Sequence, residues 1–224
     1  MTGFFASQLA LGEVERRQDI AAFEQAVSQT EQHQTSTPAA ATPSTPSTTT
    51  SPQSQPSIEL SASEAGSPDT SLWAPGRISD YQVSMQTELP RVLGLLEIPS
   101  VGLKVPIYPS DTELNMDRGA GIIDGMAYPH EPGNIGIAGH RDGYFRVLKD
   151  VGAGDIITLQ TLEGPKQFTI DSTRVVEIDD LSVLQDTDDQ TVTLVTCYPF
   201  YFVGHAPQRF IVTASLDITD VNQQ

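Results

Sequence analysis

From Val92 onward the apolar residues come in short runs, broken at close intervals by Gly, Pro, Asn and Asp. Such punctuation leaves too little uninterrupted chain for long helices and suits an all-β barrel or sandwich. The pattern predicts strands near Leu93–Ile98, Leu103–Tyr108, Ile135–Ala138, Asp155–Thr161, Lys166–Val176, Thr191–Cys197 and Phe210–Leu216, with short turns or helical pieces at Glu113–Arg118 and Tyr144–Lys149. The sequence before this block has a different character. Residues from about Ala6 to Gln29 carry good helix formers, with Val14, Ile20, Phe23 and Val27 at mixed helical spacings, and predict one moderately amphipathic helix. Gln34 to Ser57 reads as a Ser/Thr/Pro tract, where prolines remove backbone donors and small polar side chains offer nothing to bury. The expected organisation is therefore an N-terminal helical segment at 1–30, a disordered linker at 31–86 that acts as a spacer, and one folded domain at 87–218.

A chain of 224 residues accommodates one sizeable core and an appendage. The 29 acidic residues outnumber the 12 basic ones, giving a formal charge of -17 that repels phosphate backbones and anionic membrane surfaces at long range, so nucleic acid is not an expected partner. No stretch approaches the roughly 18 to 20 apolar residues of a spanning helix, and no secretory signal is evident, so the expectation is a soluble chain, either cytoplasmic or trimmed of an anchor. A single cysteine, Cys197, excludes an intrachain disulfide and a zinc site built on paired thiolates.

Within TVTLVTC, strand alternation puts Cys197 on the same face as Thr191, Thr193 and Val195, the more polar of the two. The thiol also stands where the strand stops, because Pro199 has no backbone donor and restricts Tyr198 before it. In RFIVTASL, Arg209 opens a strand just as Cys197 closes the preceding one, so an antiparallel pairing sets both on one rim. His140 ends the apolar run NIGIAGH and is a third strand-end group. His33 lies in the low-complexity tract, His130 between prolines, and His205 in the loop between Cys197 and Arg209. A metal centre drawn from His130, His140, His205 and Cys197 has no ligand-spacing motif, and no metal or cofactor is expected.

The trio suits acyl transfer. A free cysteine is only a few per cent thiolate at neutral pH, so a nucleophilic one gains from a nearby base and cation. A guanidinium supplies charge and hydrogen bonds to a developing oxyanion, and an imidazole can protonate a leaving amine and deprotonate an incoming one.

TLVTCYPF, the downstream APQRFIV and the upstream GNIGIAGHRD together resemble the sortases, most closely class D, over about Gly94 to Leu216, with the arginine twelve positions after the cysteine. The resemblance implies an eight-stranded β-barrel with Cys197 as nucleophile, His140 as acid/base and Arg209 as the oxyanion or substrate-orienting group. It implies cleavage of an LPxTG-like sorting signal through a thioester and transfer of the protein to an amine acceptor, a cell-wall peptide or a pilin lysine. Membrane attachment and a place at the extracytoplasmic face of the cell envelope are implied by the family alone. By the same resemblance the loop entering the nucleophile strand walls the signal groove, which nominates Leu181 and Leu184 as substrate-binding residues. The chain departs from the family pattern at Gly143-Tyr144, where a threonine and an aromatic are usual, and at Ile122, where a histidine is common. Other readings are an L,D-transpeptidase-like enzyme, whose motif sets glycine before the cysteine where this chain has Thr196, and a non-catalytic β-domain that binds protein or glycan.

Overall fold

The computed structural model describes residues 20–25, 68, 70–201 and 206–217. Eight strands, β1 (Gly94–Ile98), β2 (Leu103–Tyr108), β3 (Ala120–Ile122), β4 (Asn134–Ala138), β5 (Ile156–Thr161), β6 (Gly164–Glu177), β7 (Thr191–Tyr198) and β8 (Gln208–Leu216), close into a barrel in the order β1-β2-β3-β4-β7-β8-β6-β5. Seven follow from the apolar runs. The eighth, β3, is three residues long and was not expected from the pattern, since AGI is too short to show alternation.

Local chemistry explains the connections. Pro99 ends β1 in a 3-10 turn, and Gly102 takes φ 65°, a conformation that costs an L side chain but not glycine, so β2 can fold straight back on β1. Helix α2 (Glu113–Arg118) lies in the crossover from β2 to its parallel neighbour β3; Thr112 caps it by accepting from the Asn115 amide. β4 and β7 are the second parallel pair. Alternate residues point inward: Val192 and Leu194 of β7 and Val212 and Ala214 of β8 are fully buried in the core with Ile135 and Ile137 of β4. The opposite face of β7 carries Cys197, on the outside of the barrel wall.

Helix α1 (Pro75–Ser84) corrects the expected organisation, because it falls inside the segment 31–86 read as disordered linker. Trp73, Tyr81 and Met85 are buried together, with Ile78 packed against them, and Trp73 meets Tyr81 edge to face at 5.1 Å. The helix is polar around most of its surface, which hid it. Pro75 at its first turn and the stripe Ile78, Tyr81, Met85 at helical spacing were the available signals. Residues 20–25 are helical, and Ile20 and Phe23 bury Leu95 on the outer face of β1 while Glu24 Oε1 lies 2.6 Å from Lys104 Nζ. The rest of the predicted N-terminal helix and the Ser/Thr/Pro tract lie outside the described residues. Among the described residues no helix is long and apolar enough to cross a membrane.

Candidate active site

Three neighbouring strands, β4, β7 and β8, bring the three candidate residues to one end of the barrel wall. Cys197 and Arg209 are direct partners in the antiparallel register of β7 and β8. Directly opposed residues have Cβ atoms about 5 Å apart, so thiol and guanidinium emerge side by side. On the other side of β7, the parallel register runs to Ala138↔Val195, and carried on by two residues it sets His140 beside Cys197. Two bonds secure that extension: the Gly139 amide donates to Val195 O at 3.2 Å, and Thr196 Oγ1 donates to Gly139 O at 2.7 Å. Position 139 must be glycine, because a Cβ there would stand 2.7 Å from the buried Phe145 ring.

The chain turns at His140, whose carbonyl accepts from the amides of Gly143 and Phe145. Arg141 Nη1 donates to Pro199 O at 3.1 Å, tying this turn to the residues that follow Cys197. Arg209 Nη1 donates to the carbonyls of Ala206 (3.3 Å) and Gln208 (3.0 Å), which hold the guanidinium at the rim. Cys197 is partly exposed and unbridged, as a thiol that meets a substrate must be.

His140 has two acidic neighbours, both on α2. Its Nε2 lies 3.3 Å from Glu113 Oε2 and 3.6 Å from Asp117 Oδ1. Glu113 and Asp117 are four residues apart on α2 and therefore share a face; that spacing was visible in the sequence. Glu113 is held below the ordinary glutamate range, chiefly by its hydrogen bond with His140. Asp117 is pushed up by burial, against the pull of the Arg77 and His140 charges.

The β6–β7 loop holds a 3-10 turn, Leu181–Leu184. Of its apolar residues, Val183 is buried, Leu184 is half-buried and Leu181 is 68 % exposed. Val183 is thus the pin, and the two leucines nominated for substrate remain at the surface. Asn134 at the start of β4 anchors the loop: its side-chain amide donates to the carbonyls of Val183 (3.3 Å) and Gln185 (3.0 Å), and its oxygen accepts from Thr193 Oγ1 at 2.8 Å. His130 stands apart, exposed and stacked on Tyr128, and His33 and His205 lie outside the described residues. Among the described residues no cluster of three His, Cys, Asp or Glu side chains is arranged to hold a metal ion.

A closed eight-stranded barrel that carries a cysteine, a histidine and an arginine at the ends of three adjacent strands defines a narrow class. A family model described as the sortase domain matches residues 96–217, more than half of the chain, and the chain belongs to the sortase family. It is 33% identical over 132 residues to sortase D of Bacillus subtilis strain 168, a match covering 58% of this chain and 67% of that protein. It is 28% identical over 130 residues to sortase A of Bacillus anthracis, covering 56% and 60%. Among solved structures, a Clostridium perfringens sortase D5 transpeptidase superposes with a TM-score of 0.52 at 28% identity, over 62% of this chain and 88% of that one. Streptococcus agalactiae sortase C1, solved in complex with MTSET, gives 0.52 at 26% identity, over 56% and 69%.

Proposed function

We propose that this chain is a cysteine transpeptidase that cleaves an LPxTG-like sorting signal and transfers the protein that bears it to an amine acceptor at the extracytoplasmic face of the cell envelope. The observation that carries the reading is the placement of Cys197 opposite Arg209 in the β7–β8 register, with His140 one strand away.

In this reading the Cys197 thiolate attacks the carbonyl carbon of the scissile peptide bond, and the electron pair moves to the carbonyl oxygen. The Arg209 guanidinium donates to that oxyanion. Collapse of the tetrahedral intermediate breaks the C–N bond, and the imidazolium of His140 gives its proton to the leaving amine, which leaves a thioester on Sγ. The acceptor amine then attacks the thioester, its proton passes to His140, and the thiolate departs. Leu181 and Leu184 offer apolar surface to the leucine and proline of the motif, on a loop that Asn134 holds in place.

The test is mass spectrometry of the protein incubated with a panel of LPxTG-like peptides. The expected result is an acyl adduct on Cys197 that disappears in Cys197→Ala and is discharged by an added amine. Turnover in the alanine variant would remove the nucleophile assignment. If Cys197 reacted with an alkylating reagent only after unfolding, the alternative reading of a non-catalytic β-domain would be favoured.

A further inference from the structure

Helix α1 lies outside the residues that match the sortase family, yet it touches the surroundings of His140 at several points. Just before it, Trp73 Nε1 donates to the carbonyl of Asp142 at 2.9 Å, two residues past the histidine. The Arg77 guanidinium lies 4.3 Å above the Trp73 ring, its Nη1 is 2.6 Å from Asp117 Oδ1, and its Nε is 3.9 Å from Asp142 Oδ2. At the other end of the helix, Ser84 O accepts from the buried Arg118, the neighbour of Asp117. Asp117 Oδ1 therefore sits between two nitrogen-bearing groups, the guanidinium on α1 and the imidazole on the turn after β4.

We propose that Asp117 is the positioning carboxylate of His140, and that Trp73 and Arg77 hold this carboxylate and the histidine turn in register, so that docking of α1 is part of the catalytic apparatus. The proposal rests on the reading of Cys197 and His140 as the reacting pair. Of the two carboxylates near the imidazole, Glu113 is the closer and hydrogen-bonded one, and Asp117 is the buried one. Although hydrogen-bonded to His140, the side chain of Glu113 is 82% exposed, where water screens its charge, whereas that of Asp117 is 5% exposed and held by Arg77. A carboxylate so buried takes up a proton unless a cation stands beside it, and Arg77 is that cation. An ionised Asp117 steadies the imidazolium, which in turn favours the thiolate of Cys197. Trp73 acts on the same turn from outside, fixing the backbone at Asp142 and offering its ring face to the guanidinium.

Asp117→Asn keeps shape while removing charge, Arg77→Gln removes the cation, and Arg77→Lys restores it without the planar fork. With a cleavable LPxTG-like peptide, Asp117→Asn and Arg77→Gln are expected to lower kcat about 10- to 100-fold, the scale of other partners that orient an imidazole, with KM unchanged because the β6–β7 loop is untouched. Arg77→Lys is expected to recover part of the loss. Trp73 is the only tryptophan in the chain, so its emission reports whether α1 stays docked, and it should shift to the red in Arg77→Gln but not in Asp117→Asn. The alkylation rate of Cys197 at neutral pH needs no peptide, and in Asp117→Asn it is expected to fall about tenfold as the imidazolium loses its counter-charge. A wild-type alkylation rate in Asp117→Asn, or a change confined to KM or melting temperature, overturns the proposal. Slowed alkylation together with no cleavage of any peptide by the wild type upholds it and rejects only the substrate assignment.

Discussion

Cys197 and Arg209 face each other across the β7–β8 ladder, each at the end of its strand, with the carbonyls of Ala206 and Gln208 holding the guanidinium in place. The opposition is a property of register. A slip of one residue would send one of the two side chains into the barrel and abolish the site.

Because the guanidinium is a planar fork, it can present two donors to one oxygen, which an ammonium on a flexible stem does not reproduce. Arg209→Lys is expected to lower kcat/KM by about 10² to 10³ despite its retained charge, the scale seen for loss of one oxyanion donor. Steady-state kinetics with a cleavable peptide measure this, and near-normal activity would mean that only the charge is required.

His140→Ala is expected to lower kcat by at least about 10²-fold, as for other positioned acid/base groups. His130→Ala is the control: its ring is exposed, and its neighbours Pro129 and Glu131 accept from Gln190 at the end of β7 opposite Cys197, so kinetics should stay within error. A larger loss in the control would reassign the acid/base role.

Leu181 is solvent-exposed while Val183 two residues on is buried, so the two positions should fail differently. The double variant Leu181→Ser, Leu184→Ser is expected to raise KM for the peptide and leave the alkylation rate of Cys197 unchanged. Val183→Ala should instead lower stability, by about 1 kcal/mol or more for the buried methyl groups removed. Unchanged peptide kinetics with a lowered melting temperature in the double variant would make the leucines structural and move the groove toward the 198–208 loop.

Acid titration separates charge from packing at Arg77. Burial raises Asp117 above its ordinary value of 3.8, so between the unfolded and folded values the native state binds more protons than the unfolded chain. Its contribution to stability is therefore greatest below the unfolded value and is lost as pH rises through the folded one. Removing Arg77 raises the folded value further and worsens that loss. Arg77→Gln is expected to cost up to about 3 kcal/mol at pH 7 in urea unfolding, below the range for fully buried pairs because the arginine is partly exposed, and less as Asp117 is protonated in both proteins. Glu113 runs the other way: its folded value is lowered, so its contribution is present at neutral pH and lost on acidification. A cost for Arg77→Gln that does not shrink in acid would show that the arginine acts through the Trp73 ring.

Strand alternation and the proline after Tyr198 were enough to put Cys197 on the polar face at a strand end, and the same local rules placed Arg209, His140 and seven of the eight strands. These are short-range properties, carried by neighbours within a few residues. Helix α2 was legible for the same reason, with Thr112 to cap it and acidic and basic residues at opposite ends. The barrel order was not, because nothing local says that β4 lies beside β7 across more than fifty intervening residues. Helix α1 was missed because its stabilisation comes from partners distant in the chain, Asp142 for Trp73 and Asp117 for Arg77. The electrostatic surroundings of His140 were likewise decided only in three dimensions, since a carboxylate's charge state depends on which cation the fold brings to it and on how much water the fold removes.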